Sequence, residues 1–348
     1  MSVGRRHARL ATGAGRRPLA ALVSFLVCAN VVAWAWALAA FAERPLVLGT
    51  ALLAWVFGLR HAVDADHIAA IDNAVRKLMQ DGRQPVATGF YFSLGHSTVV
   101  ILACLVIVAT AGALKPKLAV LQLAGGVVGT SVSAAFLLLV GLLNAGILAG
   151  VWRDFRKVTA GQPIDSETFD ALIASRGFLA RLFRPLFAVV SRSWHMYPVG
   201  FLFGLGFDTA TEVALLALSA SQAAQGMSPW QVMVFPALFT AGMALVDTAD
   251  SAMMVRAYGW AFEHPLRKLW YNLTITAASV AVALLIGGIE AAGLLADELG
   301  LSGGVWAWIG RLSQDLSAFG FVIVAIFAAT WGLSALTFRL GGYARLKR

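Results

Sequence analysis

Eight stretches of this 348-residue chain, at about 19–42, 47–72, 89–112, 121–151, 197–221, 230–255, 269–293 and 316–338, are long and apolar enough to cross a lipid bilayer. A spanning helix needs roughly 20 consecutive, mostly apolar residues. A chain that repeats this pattern is expected to fold as an all-α membrane protein with eight transmembrane helices. The fourth stretch is long and holds Gly125, Gly126 and Gly129, so its start is the least defined. Composition agrees: 59% of residues are hydrophobic and 13% charged, whereas a soluble domain carries about 25% charged residues. Such a chain has too little polar material to cover itself in water, and lipid is its solvent.

The formal net charge of +9 is not accompanied by any RNA- or DNA-binding pattern, which sets nucleic acid aside as a partner. The basic residues sit in short loops and read as membrane orientation, because cytoplasmic loops collect Lys and Arg. With the N-terminus inside, 22 of them fall in cytoplasmic segments, Arg76, Lys77 and Arg83 included. Four fall outside (Arg44, Lys115, Lys117 and Arg311), and Arg60 is left within a span. The asymmetry supports eight spans with both termini cytoplasmic; the membrane is expected to be a bacterial cytoplasmic (inner) one. The basic N-terminal residues Arg5, Arg6, Arg9, Arg16 and Arg17 precede 24 uncharged residues, Leu19 to Ala42. That run exceeds a signal-peptide core and reads as a retained first span. Cys28 and Cys104 lie inside apolar runs and read as small buried hydrophobes rather than a disulfide framework.

Residues 1–348 read as a single transmembrane domain: a first half at about 19–151, a cytoplasmic loop at about 152–196, and a second half at about 197–340. In the loop, Leu172, Leu179, Leu182, Phe183, Leu186 and Val190 recur at helical spacing with Arg176, Arg181, Arg184 and Arg192 between them. The pattern predicts an amphipathic helix at the membrane surface. Trp152, Trp194, Trp230, Trp270 and Trp306 lie near span ends, as interfacial tryptophans do.

Ionisable groups inside a membrane cost about 2.5–3.5 kcal/mol each on insertion scales, yet four spans carry clusters of polar or ionisable residues. The second holds Arg60, His61, Asp64, Asp66 and His67, and the third Gly95-His96-Ser97-Thr98. The fifth holds Asp208, Thr209, Thr211 and Glu212, and the sixth Asp247, Thr248, Asp250 and Ser251. At 1.5 Å per residue, His61 and Asp208 lie roughly 16 Å from the cytoplasmic face, Asp247 roughly 14 Å and His96 roughly 10 Å. All four clusters therefore reach a similar depth near mid-membrane, and groups so costly to bury should converge.

Three histidines (His61, His67, His96) and six acids (Asp64, Asp66, Asp208, Glu212, Asp247, Asp250) stand against one arginine, Arg60. A cation completes such a set. Imidazole with carboxylate suits nickel, cobalt, zinc or ferrous iron. The absence of Cys and Met from the clusters argues against cuprous copper, and three histidines argue against a dedicated magnesium or calcium site. On a regular helix His61, Asp64 and His67, at i, i+3 and i+6, span one face about 120° wide. Asp66 falls off that face, where it would pair with Arg60, fix a histidine from behind, or ligate if the helix is broken. Asp208 with Glu212, and Asp247 with Asp250, share helical faces. Ser97, Thr209, Thr211 and Thr248 are available as hydrogen-bonding glue.

Phe57-Gly58-Leu59 precedes the cluster of the second span and Phe203-Gly204-Leu205 that of the fifth. Those spans run in opposite directions, the pattern of an inverted repeat with its site at the repeat interface. Alternating access by rocking of two inverted four-helix halves follows.

His61-Ala62-Val63-Asp64-Ala65-Asp66-His67-Ile68 resembles the signature of the nickel/cobalt transporter family of eight-span permeases. Three more stretches resemble its other signatures: Phe92-Ser93-Leu94-Gly95-His96-Ser97, Leu205 through Glu212, and Gly242 through Asp250. Four motifs in order, with a resemblance running from about residue 19 to 340, look most like the high-affinity nickel permeases that supply hydrogenases. Arg192-Ser193-Trp194-His195-Met196-Tyr197-Pro198 adds to it. The resemblance implies uptake of Ni2+, or Co2+, as transported substrate, with His61, Asp66 and His67 essential. Val63 stands where the family's nickel-versus-cobalt preference is linked to Val or Phe, and Val tilts towards nickel. The histidine-rich loop of related efflux proteins is absent, which favours uptake.

Other classes fit less well. An intramembrane metalloprotease wants His-Glu-x-x-His, which is absent, as is a nucleophile elbow. A metal sensor needs a signalling domain, for which residues 152–196 are the only candidate. No nucleotide-binding loop is present, no ATPase subunit is evident, and neither enzymatic activity nor a prosthetic group is expected. His7, His195 and His264 lie in loops or at span edges and read as solvated residues. Cobalt or mixed uptake is the alternative within transport.

Overall fold

The computed structural model describes residues 16–109, 115–159, 190–206, 209–261 and 265–314, and scattered positions of 320–336. Every regular element among these residues is a helix. In chain order they are α1 (Arg16–Phe41), α2 (Pro45–His61), α3 (Ala65–Gln80), α4 (Thr88–Ala109) and α5 (Lys115–Thr159), then α6 (Met196–Gly204), α7 (Ala210–Ala224), the short α8 (Pro229–Val232), α9 (Val234–Ala261), α10 (Pro265–Glu298) and α11 (Gly304–Gln314).

Five helical stretches are long and apolar enough to cross a membrane: Pro18–Phe41, Thr88–Ala109, Val127–Gly150, Pro229–Ala257 and Thr276–Glu298. They become six when α2 and α3, bent by 51° about a short break, are taken as one span. The chain is thus a multi-pass helical membrane protein. The predicted fifth span divides between α6 and α7, and most of the eighth lies outside the described residues. So do residues 160–189, where the surface helix is expected, and α5 runs to Thr159, past the predicted loop start. Helix α11 was not foreseen; its Val305 and Trp308 are exposed. Trp152, Trp194 and Trp230 are exposed as well, as an interfacial belt requires.

The predicted second span differs most. It breaks at residues 62–64, and the helix then continues to Gln80. Arg76 and Lys77, expected in a cytoplasmic loop, are therefore helical. Arg76 is only 1% exposed. Its Nη2 donates to Asp72 Oδ2 at 2.9 Å, one helical turn back. Ser279 of α10 donates to the same oxygen at 2.6 Å, and Asn144 of α5 donates to Asn73 at 2.6 Å. A charge that the orientation rule assigns to a loop is instead neutralised inside the bundle. Helix α3 ends where Gly82 takes φ +74°, with Arg83 N–H bonding Leu78 O and Gly82 N–H bonding Met79 O. Only glycine adopts this left-handed closure without cost.

Lipid supplies no hydrophobic force between helices, so close backbone approach at small residues holds them together. A Cβ on Gly58 of α2 would overlap the Phe239 carbonyl of α9, and one on Gly242 the Trp55 carbonyl. Likewise, a Cβ on Gly200 of α6 would overlap the Phe92 carbonyl of α4, and one on Gly95 the Tyr197 carbonyl. A Cβ on Gly204, the glycine of the second Phe-Gly-Leu stretch, would meet the His96 carbonyl at 2.9 Å; α2 is thus seated on α9, and α6 on α4. A Cβ on Gly89 of α4 would in turn overlap the Asp247 carbonyl of α9, and Gly89 N–H donates to Ser251 Oγ at 2.7 Å. The crossing of α4 and α9 thus joins the two pairs, and the polar clusters gather around it.

Candidate metal centre

The centre is built on the break between α2 and α3. Val63 N–H bonds Arg60 O and Asp64 N–H bonds His61 O, tightening the last turn of α2. Asp64 then turns extended (φ −71°, ψ 150°) as the N-cap of α3 without a capping side-chain bond. Asp66 supplies what the cap does not: its Oδ1 accepts the His67 backbone N–H at 2.8 Å. A carboxylate in the first turn also suits the positive end of a helix. The continuous helical face predicted for His61, Asp64 and His67 is therefore replaced by a bend. It brings the His61 and His67 rings to 4.6 Å between centroids.

Helix α4 adds His96, whose ring lies 4.7 Å from His61 and 4.9 Å from His67. Ligand-capable atoms of the three histidines fall within 4.8 Å of one another, and all three residues are buried. His96 Nε2 stands 2.9 Å from His61 Nε2 and 2.7 Å from Glu212 Oε1. A neutral imidazole nitrogen carries either one proton or one lone pair. One nitrogen cannot satisfy both neighbours, a conflict that a cation at this point would resolve.

Two of the rings, His61 and His67, are also held from behind. His61 Nδ1 lies 3.2 Å from the Thr209 and Thr211 hydroxyls, and Thr209 donates to Glu212 Oε2 at 3.0 Å. His67 Nδ1 lies 3.3 Å from Asp247 Oδ2, which also accepts the Ser93 hydroxyl at 2.6 Å. His67 Nε2, His96 Nδ1 and Asp247 Oδ1 are buried with no hydrogen-bond partner among the described residues. A carboxylate on one imidazole nitrogen that leaves the other nitrogen's lone pair free is the usual support of a metal-binding histidine.

The two half-helices that enter the centre are alike at their starts. Thr209, the N-cap of α7, is extended (φ −86°, ψ 141°) like Asp64. His67 and Glu212 both stand three residues after their caps. His67 faces Asp247 of α9, and Glu212 faces His96 of α4.

The remaining predicted residues fall around this core. Asp64 Oδ2 lies 3.8 Å from His61 Nδ1. Asp66 is turned to the start of α3. The Arg60 guanidinium sits over the Phe321 ring at 5.0 Å. Val63 is in the break, its side chain packed against the core. Ser97 and Thr248 are buried, and their hydroxyls, like Asp250 Oδ2, have no partner among the described residues. Asp208 lies outside the described residues. Sequence reasoning gave no role to Ser93, Ser251 or Gly89; Ser93, three residues before His96 on the same helical face, was within its reach.

The chain matches the NicO family, described as high-affinity nickel-transport protein, over residues 47–337. The hydrogenase nickel incorporation protein HupN of Bradyrhizobium diazoefficiens is 57% identical over 96% of this chain and 87% of its own. A high-affinity nickel transport protein of Cupriavidus necator is 53% identical over 95% of each chain. The cobalt transport protein NhlF of Rhodococcus rhodochrous is 41% identical over 91% of each. No solved structure matches the chain. A buried three-histidine cluster inside a multi-pass bundle agrees with this kinship: the chain belongs to the NicO family of high-affinity nickel-transport proteins, a family of transporters and not of enzymes.

Proposed function

We propose that this protein is a secondary transporter that takes up divalent nickel across the bacterial cytoplasmic membrane. The ion binds between His61, His67, His96 and Glu212. The observation that carries the reading is the 2.9 Å approach of His61 Nε2 and His96 Nε2 beside the Glu212 carboxylate. Three imidazoles with a carboxylate suit a first-row transition ion, and site geometry rather than raw affinity sets selectivity among such ions. Asp64 stands in reserve behind His61, Asp247 and Ser93 orient His67, Thr209 orients His61, and Asp66 holds the first turn of α3. Ser97 and Asp250 complete the polar lining. Val63 acts through the break in which it sits.

Eight spans in two inverted halves, joined by the segment between α5 and α6 and with both termini cytoplasmic, accommodate this centre. The matching starts of α3 and α7 and the matching seats of α2 on α9 and α6 on α4 support that arrangement. Rocking of one half against the other opens the centre to either face in turn. No ATPase subunit enters this reading.

Cobalt or mixed uptake is the second reading, favoured by the likeness to a cobalt transport protein. Radiolabelled nickel uptake in cells producing the wild type, with cobalt as competitor and His67→Ala alongside, tests both. Wild-type uptake at the level of empty vector refutes transport. Unimpaired uptake by His67→Ala refutes the site. Strong inhibition by equimolar cobalt favours the second reading.

A further inference from the structure

We propose that Gly320 and Phe321 are positioning residues for the transported ion: a clasp that fixes the break between α2 and α3 and so tunes the choice between nickel and cobalt. The proposal rests on the functional reading above, in which these residues have no part. Two contacts and one shared core cluster within a single helical turn carry it. Gly320 is buried, and a Cβ on it would overlap the Val63 carbonyl and meet the Asp64 backbone. The Phe321 ring receives the Arg60 guanidinium at 5.0 Å. Ile323, 5% exposed, lies in one core cluster with Ala65 and Ile68. A single turn therefore touches the last turn of α2 and the break itself, and shares a core cluster with the first turn of α3.

Arg60 directly precedes His61, and the Val63-Asp64 backbone that Gly320 meets links His61 to His67. A shift of the clasp against the break thus moves both imidazoles relative to His96. Metal–ligand distances tolerate only about 0.2 Å of error, and nickel and cobalt draw on the same ligand types, so geometry must separate them. Gly320 is the sharper element, because what a side chain would meet there is backbone, which cannot swing aside. Phe321 is the milder one: it is 57% exposed, and shortening it opens no hole in the core.

The test measures nickel and cobalt uptake kinetics in cells, with each variant normalised to the amount of protein in the membrane. Phe321→Leu is expected to raise KM for nickel about 2- to 5-fold, the worth of one cation–aromatic contact. It should also change the ratio of nickel to cobalt KM, and Phe321→Trp should restore both. Gly320→Ala is expected to lose more. A purely structural role would lower the amount of protein and leave the ratio unmoved. Wild-type KM and ratio in both Phe321→Leu and Gly320→Ala overturn the clasp, as does a Phe321→Leu defect that Phe321→Trp leaves unrestored. A wild type that takes up no nickel overturns the functional reading and the clasp with it.

Discussion

His67 of α3 and Asp247 of α9 meet at 3.3 Å with neither side chain exposed to solvent. The contact leaves Nε2 as the outward nitrogen of the ring. Asp247→Asn keeps the shape and an oxygen for Ser93 but removes the charge behind the imidazole. Loss of such a supporting carboxylate weakens metal binding by about 10- to 100-fold. The expected outcome is a rise of that order in KM for nickel, with normal amounts of protein in the membrane. A wild-type KM in Asp247→Asn would show that His67 binds without this support.

His96 and Glu212 form a second pair, at 2.7 Å, with His61 as the third member. Residues that act on one ion as a unit are not additive. His96→Ala and Glu212→Gln should each reduce nickel uptake at limiting concentration by at least about tenfold, the effect of losing about 1.4 kcal/mol of binding. The double variant should be little worse than the poorer single. Losses that multiply in the double variant would place the two residues on different steps of the transport cycle.

Asp66 poses a cleaner choice. Its Oδ1 accepts the His67 backbone N–H, a role that asparagine can fill and alanine cannot. Losing such a helix-start acceptor costs about 0.5–2 kcal/mol. Nickel uptake is expected to fall further in Asp66→Ala than in Asp66→Asn. Equal and complete loss in both variants would instead mean that the carboxylate charge itself meets the ion.

How much of this was legible in the sequence follows from the kind of signal each part leaves. The long apolar runs of α1, α4 and α9 announce themselves, because lipid demands them. That His61, His67, His96, Glu212 and Asp247 should converge was expected from similar depth, since costly groups at one level must share a solution. The break at Ala62-Val63-Asp64 was not, for it holds neither proline nor glycine. What rests on it is tertiary: the Val63 carbonyl lies against Gly320, distant in sequence. The place of Arg76 was misread for the opposite reason. A charge count weighs arginines without seeing Asp72 and Ser279 beside one of them. Asp66 was off the predicted histidine face, and only the break gives it an N-terminal turn to hold.

The Asp72–Arg76 pair yields the last prediction. Both side chains are essentially unexposed, in a bundle where neither charge can reach water without unpacking α3. Removing one partner of a buried pair costs about 3–5 kcal/mol, whereas replacing both by apolar groups of similar volume is often neutral. Arg76→Met and Asp72→Leu should therefore each lower the thermal midpoint of the purified protein in detergent and its amount in the membrane. The double variant should recover most of both. Nickel uptake per folded molecule should stay near wild type throughout, because none of the hydrogen bonds described for this pair reaches the imidazoles. A double variant that folds normally yet transports poorly would give the pair a part in the movement of α3, and would move it from the scaffold to the transport cycle.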